Sequence, residues 1–500
     1  MSQAYPDEKV LDIDESHIEE IQTLPELTPA EKKRILRRVD CRLVIPLGII
    51  LCVSLLDRTN VSFAMVAGMD KDLHVVGSRY TIIIAVFFIT YTILQPITTV
   101  ILRKVGTRRF LPAITLAWGI VMLGSGFIQQ WYELVIVRIL LGCFEAGLFP
   151  GCAYLLSCWY PRYELNTRNA VFFIIGTTIA AFGGILSFGL AEMEGLGSGH
   201  NLGKIKKSGS GWTRSQGIAG WRWIFIIEGA ITCAVALVAY AFIVEFPEDA
   251  TKREWMSLPF LDEKEAAFIR SRIDADSQDL VIEPFYIKTY LGYALDLKIW
   301  GFATIFLCSS VQTYAMSYFL PIILKQMGFS TSASQYLVTP PYVFAAILIF
   351  TSGWLSDKYR IRSPFILFSA CLGVIGIPLL GLSKNTGVRY FGAFLSTASA
   401  NSIVPAVLTW QANNIRGQWK RAFCSATLIG AGGIGGTIGG TTFRSQDAPN
   451  YLPGTYTCII ASSLVIVVSL ILVLHFHISN RRAAKFGQII EGLEGFRYTL

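Results

Sequence analysis

Leu55-Leu56-Asp57-Arg58-Thr59-Asn60 lies inside an apolar run that begins near Leu43 and continues to about Val66. A run of that length spans a bilayer core of about 30 Å, which takes about 20 residues of helix. It nevertheless carries an acid and a base side by side. A charge at the centre of a membrane helix costs roughly 2.5–3.5 kcal/mol or more, so it faces the protein interior or a water-filled cavity and serves a function. A second apolar run, Leu134 to Leu156, holds Arg138 and Glu145. The rest of the chain reads as a scaffold that brings these four side chains to one cavity. The competing reading is a buried ion-pair staple with no ligand.

The composition agrees with a membrane setting. Of 500 residues, 53% are hydrophobic and only 16% charged, against about 25% charged in an average soluble domain. The formal net charge is +8. The basic residues lie in short clusters between apolar runs, where they orient a membrane protein, so nucleic acid is not an expected partner. The ten cysteines are dispersed, with no CxxC pair and no Cys/His metal spacing. No nucleophile–base pair or nucleotide motif is present either. The chain therefore reads as no enzyme, with no catalytic residues, no cofactor and no metal.

Apolar runs of helix length recur along the chain. They fall near 43–66, 78–102, 108–128, 131–156, 168–190 and 221–245, then near 298–322, 335–355, 363–382, 387–410, 420–442 and 455–478. This predicts an all-α polytopic protein of about twelve helices in two halves of six. The boundaries are a tail over 1–42, a first half over 43–246, a central linker over 247–297, a second half over 298–478 and a closing tail over 479–500. Thr28-Pro29-Ala30-Glu31 is a capping box with proline at the first helical position, ahead of Lys32, Lys33, Arg34, Arg37 and Arg38. Leu261 through Arg272 reads as a short amphipathic helix in the linker.

Charge sets the expected orientation. With the amino terminus inside, the inside loops hold Arg103, Lys104, Arg108 and Arg109, then Arg162 and Arg168, then Lys358, Arg360 and Arg362. They also hold Arg416, Lys420 and Arg421, and the closing tail adds Arg481, Arg482 and Lys485. The outside loops are poorer, with Lys71, Arg79, Lys325, Lys384, Arg389 and Arg444. Both termini come out cytoplasmic. The untidy segment is 191–220, which is Gly/Ser-rich, basic and long for an outside loop; it reads as flexible. Asn60-Val61-Ser62 fits a glycosylation sequon, but it lies too near the membrane to be used.

The halves show internal similarity. Leu102-Arg103-Lys104-Val105-Gly106-Thr107-Arg108-Arg109 follows the second run, and Gly353-Trp354-Leu355-Ser356-Asp357-Lys358-Tyr359-Arg360 follows the eighth. A transporter built from two six-helix repeats has this feature. On these turns the chain resembles the major facilitator superfamily over about residues 40–480. Within it, the chain looks like the fungal allantoate permease family of anion:cation symporters. The matching stretches are Leu56–Asn60, Arg138–Gly151, Tyr154–Tyr160, Gly220–Gly229, Pro340-Pro341-Tyr342 and Trp410–Asn414. Phe144–Gly151 with Gly220–Gly229 looks most like nicotinate-permease relatives. The resemblance implies proton-driven uptake of a small organic anion such as nicotinate, pantothenate or allantoate. It also implies alternating access around a central cavity. Such a protein would be a multi-pass plasma-membrane monomer whose partners are the anion, protons and the lipid bilayer. Export of an acidic metabolite, or nutrient sensing without transport, remain the alternatives.

The polar residues then take expected roles. Arg58 can grip a carboxylate with two parallel hydrogen bonds and stays charged. Asp57 and Glu145 are expected to carry protons, because a buried carboxylate answers both to desolvation and to a nearby cation. Arg138, two turns before Glu145 on one face, is expected to pair with one of these acids. Tyr91 matches a family tyrosine that can hydrogen-bond substrate. Gln312, Tyr314, Tyr318, Tyr342 and Asn401 are the candidates from the second half. Lys104, Arg108 and Arg109, with Asp357 and Lys358, are expected as cytoplasmic gate contacts. The glycines of Gly430–Gly440 are expected to let helices approach closely. Three departures from the family pattern stand out. Gly433 replaces an asparagine, which would widen or depolarise the pocket. Gln95 replaces a glutamate, with Pro96 one position early. Gly176–Gly184 lacks the proline of drug antiporters.

Overall fold

Thr28 opens the first helix as its residue type requires. Its hydroxyl accepts from the Glu31 amide at 3.3 Å, and the Glu31 carboxylate accepts from the Thr28 amide at 2.8 Å. The computed structural model describes residues 28–161, 164, 168–169, 171–176, 182–196, 205–208, 211–214, 217–247, 260–277, 286–416, 418–443, 447, 451–491 and 496–500. The expected tail up to residue 27 and residues 170 and 177–181 of the fifth span lie outside the described residues. So do residues 248–259 and 278–285 of the linker, Arg162 and Arg444.

The capped segment and the first span form one helix, α1 (Pro29–Ala64), of 36 residues, about 54 Å long. It ends in a π-helical turn at Met65–Met69, where Gly68 takes a φ of 113°. There follow α2 (Arg79–Val105), α3 (Thr107–Ser125), α4 (Trp131–Glu145), α5 (Leu148–Trp159), α6 (Gly183–Ala191) and α7 (Gly220–Phe242). The linker contributes α8 (Glu263–Ser277) and α9 (Ile287–Gly292). The second half comprises α10 (Leu297–Gln326), α11 (Thr331–Tyr336), α12 (Thr339–Tyr359), α13 (Ser363–Leu382), α14 (Thr386–Asn414), α15 (Gln418–Thr442) and α16 (Leu452–Phe486). Among the described residues, nine helices are long and apolar enough to cross a membrane. Their outer faces carry exposed Leu237, Ile347, Ile471 and Leu474. That is the surface a lipid-facing helix presents, since lipid solvates apolar side chains.

Two local features differ from the sequence reading. The fourth span is split after Glu145. Pro150 has no N–H for the Ala146 carbonyl four residues earlier, so the helical ladder lapses there. The 191–220 segment carries a small antiparallel hairpin, in which Ile205–Ser208 pairs with Gly211–Arg214. The rest of the described chain is helical or irregular. The turns that suggested a repeat share the sign of φ but not ψ, which is 148° at Gly106 and 31° at Arg360. Gly106 (φ 93°) and Arg360 (φ 56°) each place a positive φ at the end of the preceding helix.

At one end the halves share apolar packing. A single apolar cluster there mixes first-half residues such as Phe63, Tyr80 and Phe87 with Met316, Phe319 and Leu320 from the second half. Several hydrogen bonds cross the same seam. Lys325 Nζ donates to the Val66 carbonyl at 2.7 Å, the Tyr80 hydroxyl to the Tyr318 carbonyl at 3.2 Å, and the Gln335 amide to the Phe63 carbonyl at 3.3 Å. A second apolar cluster, around Phe302, Trp410 and Phe476, belongs to the second half alone.

The glycine-rich α15 works as a two-sided wedge. A Cβ on Gly435 or Gly439 would meet the Leu307 or Val311 carbonyl of α10 at 2.5 or 2.3 Å. A Cβ on Gly433 or Gly436 would meet Thr92 or Phe88 of α2 at 1.9 or 2.4 Å. Glycine thus lets α15 touch helices of both halves. Gly433 does not widen the cavity by a side-chain volume, because Thr92 takes that space.

The closing tail folds back on the second half. Tyr498 stacks on Phe476 with centroids 4.5 Å apart and exchanges backbone–side-chain bonds with Asn480. The Thr499 amide donates to Asn414 at 2.8 Å, and the Arg362 amide donates to the Leu500 carbonyl at 2.7 Å. Lys420 bridges Asp296 (2.7 Å) and Glu491 (2.9 Å), and Lys298 also pairs with Glu491. Burial alone would raise both carboxyls. The bonds and charges of Lys420 and Lys298 outweigh it and hold Asp296 and Glu491 below the usual carboxylate range. Carboxyls so lowered stabilise the fold above their ordinary values, and that stability is lost as pH falls through the lowered ones. Limited proteolysis of the tail should therefore be slow at neutral pH and several-fold faster below about pH 4. Lys420→Ala should release the tail at neutral pH; equal rates for variant and parent would remove this clasp.

Candidate functional site

The site starts from helical spacing. Ser54 and Arg58 are four residues apart on α1 and share one face, while Asp57 and Asn60 point elsewhere. The lapse in the fourth span leaves Glu145 at the end of α4, opposite that face. Arg58 Nε donates to Glu145 Oε1 at 2.7 Å, and the Ser54 hydroxyl donates to the same oxygen. Both ionic side chains are buried, 8% and 4% exposed. Arg58 Nη1 donates to the Tyr314 hydroxyl of α10 at 2.8 Å, which links the two halves. The guanidinium lies 4.8 Å from the Tyr91 ring centroid, a cation–π contact worth about 0.5–2 kcal/mol.

This cluster forms the inner wall of a cavity of about 780 Å³. Arg58, Tyr91, Gln95, Tyr314, Tyr342 and Asn401 line it, with Thr313, Ser317 and Ser402. It continues to Trp354, Asp357 and Arg362 at the α12–α13 turn, the end away from the seam. The wall combines one strong cation, several aromatic faces and a few hydroxyl and amide groups. That set can hold a small planar anion: bidentate bonds for its charge, rings for its body.

The predicted residues do not all converge. Arg58, Tyr91, Tyr342 and Asn401 line the cavity. Tyr342 bonds Ser317 at 3.1 Å, and Asn401 donates to the Thr397 carbonyl at 2.8 Å. Asp57 turns away from it, toward α3 and α7, and accepts from the Trp118 indole at 3.1 Å. Arg138 is buried but makes no ion pair with Asp57 or Glu145. Its guanidinium lies 5.9 Å from the Phe87 ring centroid, and Nη2 has no hydrogen-bond partner. The expected direct pair is absent because Arg58 already holds Glu145. Gln312 and Tyr318 are buried off the cavity, Gln312 beside Ser399, Ser462 and Gly373, and Tyr318 against Phe88.

The expected gate charges are engaged within their own halves. Asp357 pairs with Arg362, and Lys358 lies over the Trp354 and Tyr359 rings. The Arg108 amide donates to Glu245 at 3.1 Å, and its guanidinium reaches the Tyr240 carbonyl at 3.3 Å. Lys104 and Arg109 are exposed. This arrangement fits a cavity open at that end. Sequence reasoning missed Ser54, Trp118, Thr232 and Glu228 as polar partners of the acids. Of these only Glu228, an acid inside an apolar run, left a signal.

A family model described as Major Facilitator Superfamily matches residues 47–443. The chain belongs to the Major Facilitator Superfamily. It is a multi-pass membrane protein and a secondary transporter of small solutes, not an enzyme. An MFS-type transporter named cnsO, from Penicillium expansum, is 32% identical over 448 residues, 88% of this chain and 83% of that one. The high-affinity nicotinic acid transporter of Saccharomyces cerevisiae is 29% identical over 432 residues, 86% and 75% of the two chains. The fold is like that of a bacterial homolog to the human lysosomal transporter Spinster, inward-facing and occupied. The TM-score is 0.61 at 14% identity, with 86% of this chain and 95% of that one covered. It is also like the xylose transporter XylE from E. coli, partially occluded and inward open. There the TM-score is 0.59 at 16% identity, with 86% and 99% covered.

The Arg58–Glu145 pair makes a direct prediction for this transporter. Removing one partner of a buried ion pair strands the other and costs about 3–5 kcal/mol. Losing one hydroxyl donor to a carboxylate costs about 1.5–3 kcal/mol. Glu145→Ala should therefore lower the unfolding midpoint of the detergent-purified protein clearly more than Ser54→Ala. Equal shifts would show that the ion pair does not hold the cavity wall together.

Proposed function

We propose that this transporter carries out proton-coupled uptake of a small organic monoanion by alternating access, with an aromatic monocarboxylate of the nicotinate class as the first substrate to test. One observation carries the reading: the guanidinium of Arg58 stands at the cavity wall over Tyr91, held by Glu145 and by the Tyr314 hydroxyl. A carboxylate entering the cavity would replace that hydroxyl on Arg58 Nη1, and its ring would lie among Tyr91, Tyr314 and Tyr342. Arg58 would then divide its charge between substrate and Glu145. A weakened pair favours a proton on Glu145, and a protonated Glu145 in turn frees Arg58 for the anion. This reciprocity is a physical route from a proton gradient to substrate accumulation. The nicotinic acid transporter among the relatives supports the same class.

In this reading the end bearing Asp357 and Arg362 faces the cytosol, both termini are cytoplasmic, and the protein works as a monomer in the plasma membrane. The basic inside loops support that orientation. The test is uptake of radiolabelled nicotinate, pantothenate and allantoate in a permease-deficient yeast, with and without a protonophore. Uptake of the monocarboxylate should collapse with the protonophore. Arg58→Ala should lose it at least tenfold while still reaching the membrane; full uptake by that variant would reject Arg58 as the anion anchor. Glu145→Gln should keep exchange of substrate but lose accumulation against a gradient. If Glu145→Gln still concentrates substrate, the proton route is wrong.

A further inference from the structure

Asp57 faces a second acid. Glu228 on α7 is 3% exposed and Asp57 is 4% exposed. Asn60 donates to Asp57 Oδ1 at 3.4 Å, and Thr232, one turn after Glu228 on α7, reaches Asp57 at 3.4 Å while its hydroxyl also donates to the Glu228 carbonyl at 2.9 Å. The remaining partners are neutral donors too. They are the Trp118 indole (3.1 Å) on Asp57 and the Ser187 hydroxyl (3.4 Å) on Glu228. Among the described residues, no lysine or arginine forms an ion pair with either acid. Two buried oxygens of the cluster, Glu228 Oε2 and Asn60 Oδ1, have no hydrogen-bond partner. The cluster therefore has a surplus of acceptors and two acids without a paired cation.

We propose that Asp57 and Glu228 form a proton-binding dyad in the core of the first half, behind the cavity wall, that holds one shared proton and exchanges it as Arg58 gains and loses its anion. The proton adds to one carboxylate oxygen from hydronium and returns to water. Two like charges in one buried site are not both sustained without a compensating cation. One proton removes the repulsion and converts an acceptor into the donor that the cluster lacks. The facing groups are Cys52 and Asn60 from α1, Trp118 from α3, Arg138 and Glu145 from α4, Ser187 from α6, and Thr232 and Cys233 from α7. Arg138 is the single cation among them, and it is not in contact with either acid.

The link to transport follows from position. Asp57 and Arg58 are neighbours on one turn of α1, so an anion on Arg58 brings negative charge close to the dyad and favours its proton. By reciprocity, a protonated dyad favours the anion. This part rests on the proposed function; the existence of the proton does not.

The test separates the two. Infrared difference spectra of the purified protein in liposomes, without substrate, are taken between mildly acidic and mildly alkaline pH. A protonated-carboxyl C=O band should titrate, be lost in both Glu228→Gln and Asp57→Asn, and persist in Glu145→Gln. Both variants are near-isosteric. If neither folds, the wild-type band must shift on carboxyl labelling of aspartate or of glutamate. Replacing sodium with choline should leave the band in place. Arg58→Ala should move its midpoint to higher pH. A band that survives both amide variants overturns the dyad, and a band that follows sodium makes the cluster a sodium site instead. An unmoved midpoint in Arg58→Ala overturns the link to the anion. Loss of nicotinate uptake in the cell assay, with the band behaving as expected, leaves the dyad standing and removes only the substrate reading.

Discussion

The bond between Arg58 and Glu145 is the interaction on which the cavity depends. A guanidinium is costly in a membrane interior unless it has a partner and full hydrogen bonding. Glu145 supplies the charge, Tyr91 the ring face and Tyr314 the hydroxyl. The pair holds α1 to α4 inside the first half, and the Tyr314 bond reaches into the second. A site built this way can part at Tyr314 without exposing a bare charge, because Glu145 remains with Arg58. The proposed alternating access, with one half rocking on the other, needs such an interface, tight but divisible.

The same logic explains the asymmetry of the molecule. At the sealed end, the halves meet through apolar packing and a few hydrogen bonds to backbone carbonyls. Apart from the Lys325 ammonium, contacts of that kind carry no charge and are individually weak. At the other end, the charged turns satisfy themselves within each half, Asp357 with Arg362 and Arg108 with the end of the sixth span. α15 lies between the two halves with glycine on both contact faces, so backbone rather than side chains sets its distance to α2 and α10. A glycine face can slide along a partner helix with few interlocking side chains to repack.

Much of the fold was legible. The apolar runs placed the spans, because the bilayer permits only helices of a certain length. The capping box placed the first residue of α1. The paired turns announced two repeats, and their positive φ values at Gly106 and Arg360 agree with that. The break after Glu145 was in principle readable from Pro150, but proline is tolerated inside membrane helices often enough that the run still read as continuous. The site was legible in part. Arg58, Tyr91, Tyr342 and Asn401 reach the cavity, whereas Asp57, Gln312 and Tyr318 do not. Asp57 lies on the side of α1 that meets α3 and α7, where Trp118 and Thr232 bind it, and so is turned from the space that Arg58 faces.

The sequence by itself determined that this is a membrane protein of two helical repeats with charge inside the first half. Length, hydropathy and turn residues are local properties, and each span satisfies its own backbone. Only the tertiary structure decided which charge meets which. The assignment of Glu145 to Arg58, the absence of an ion pair between Arg138 and either acid, and the approach of α7 to Asp57 through Thr232 depend on helix rotation and on neighbours 87 or more residues away. Rotation is set by packing all the helices at once, and no window of sequence contains it.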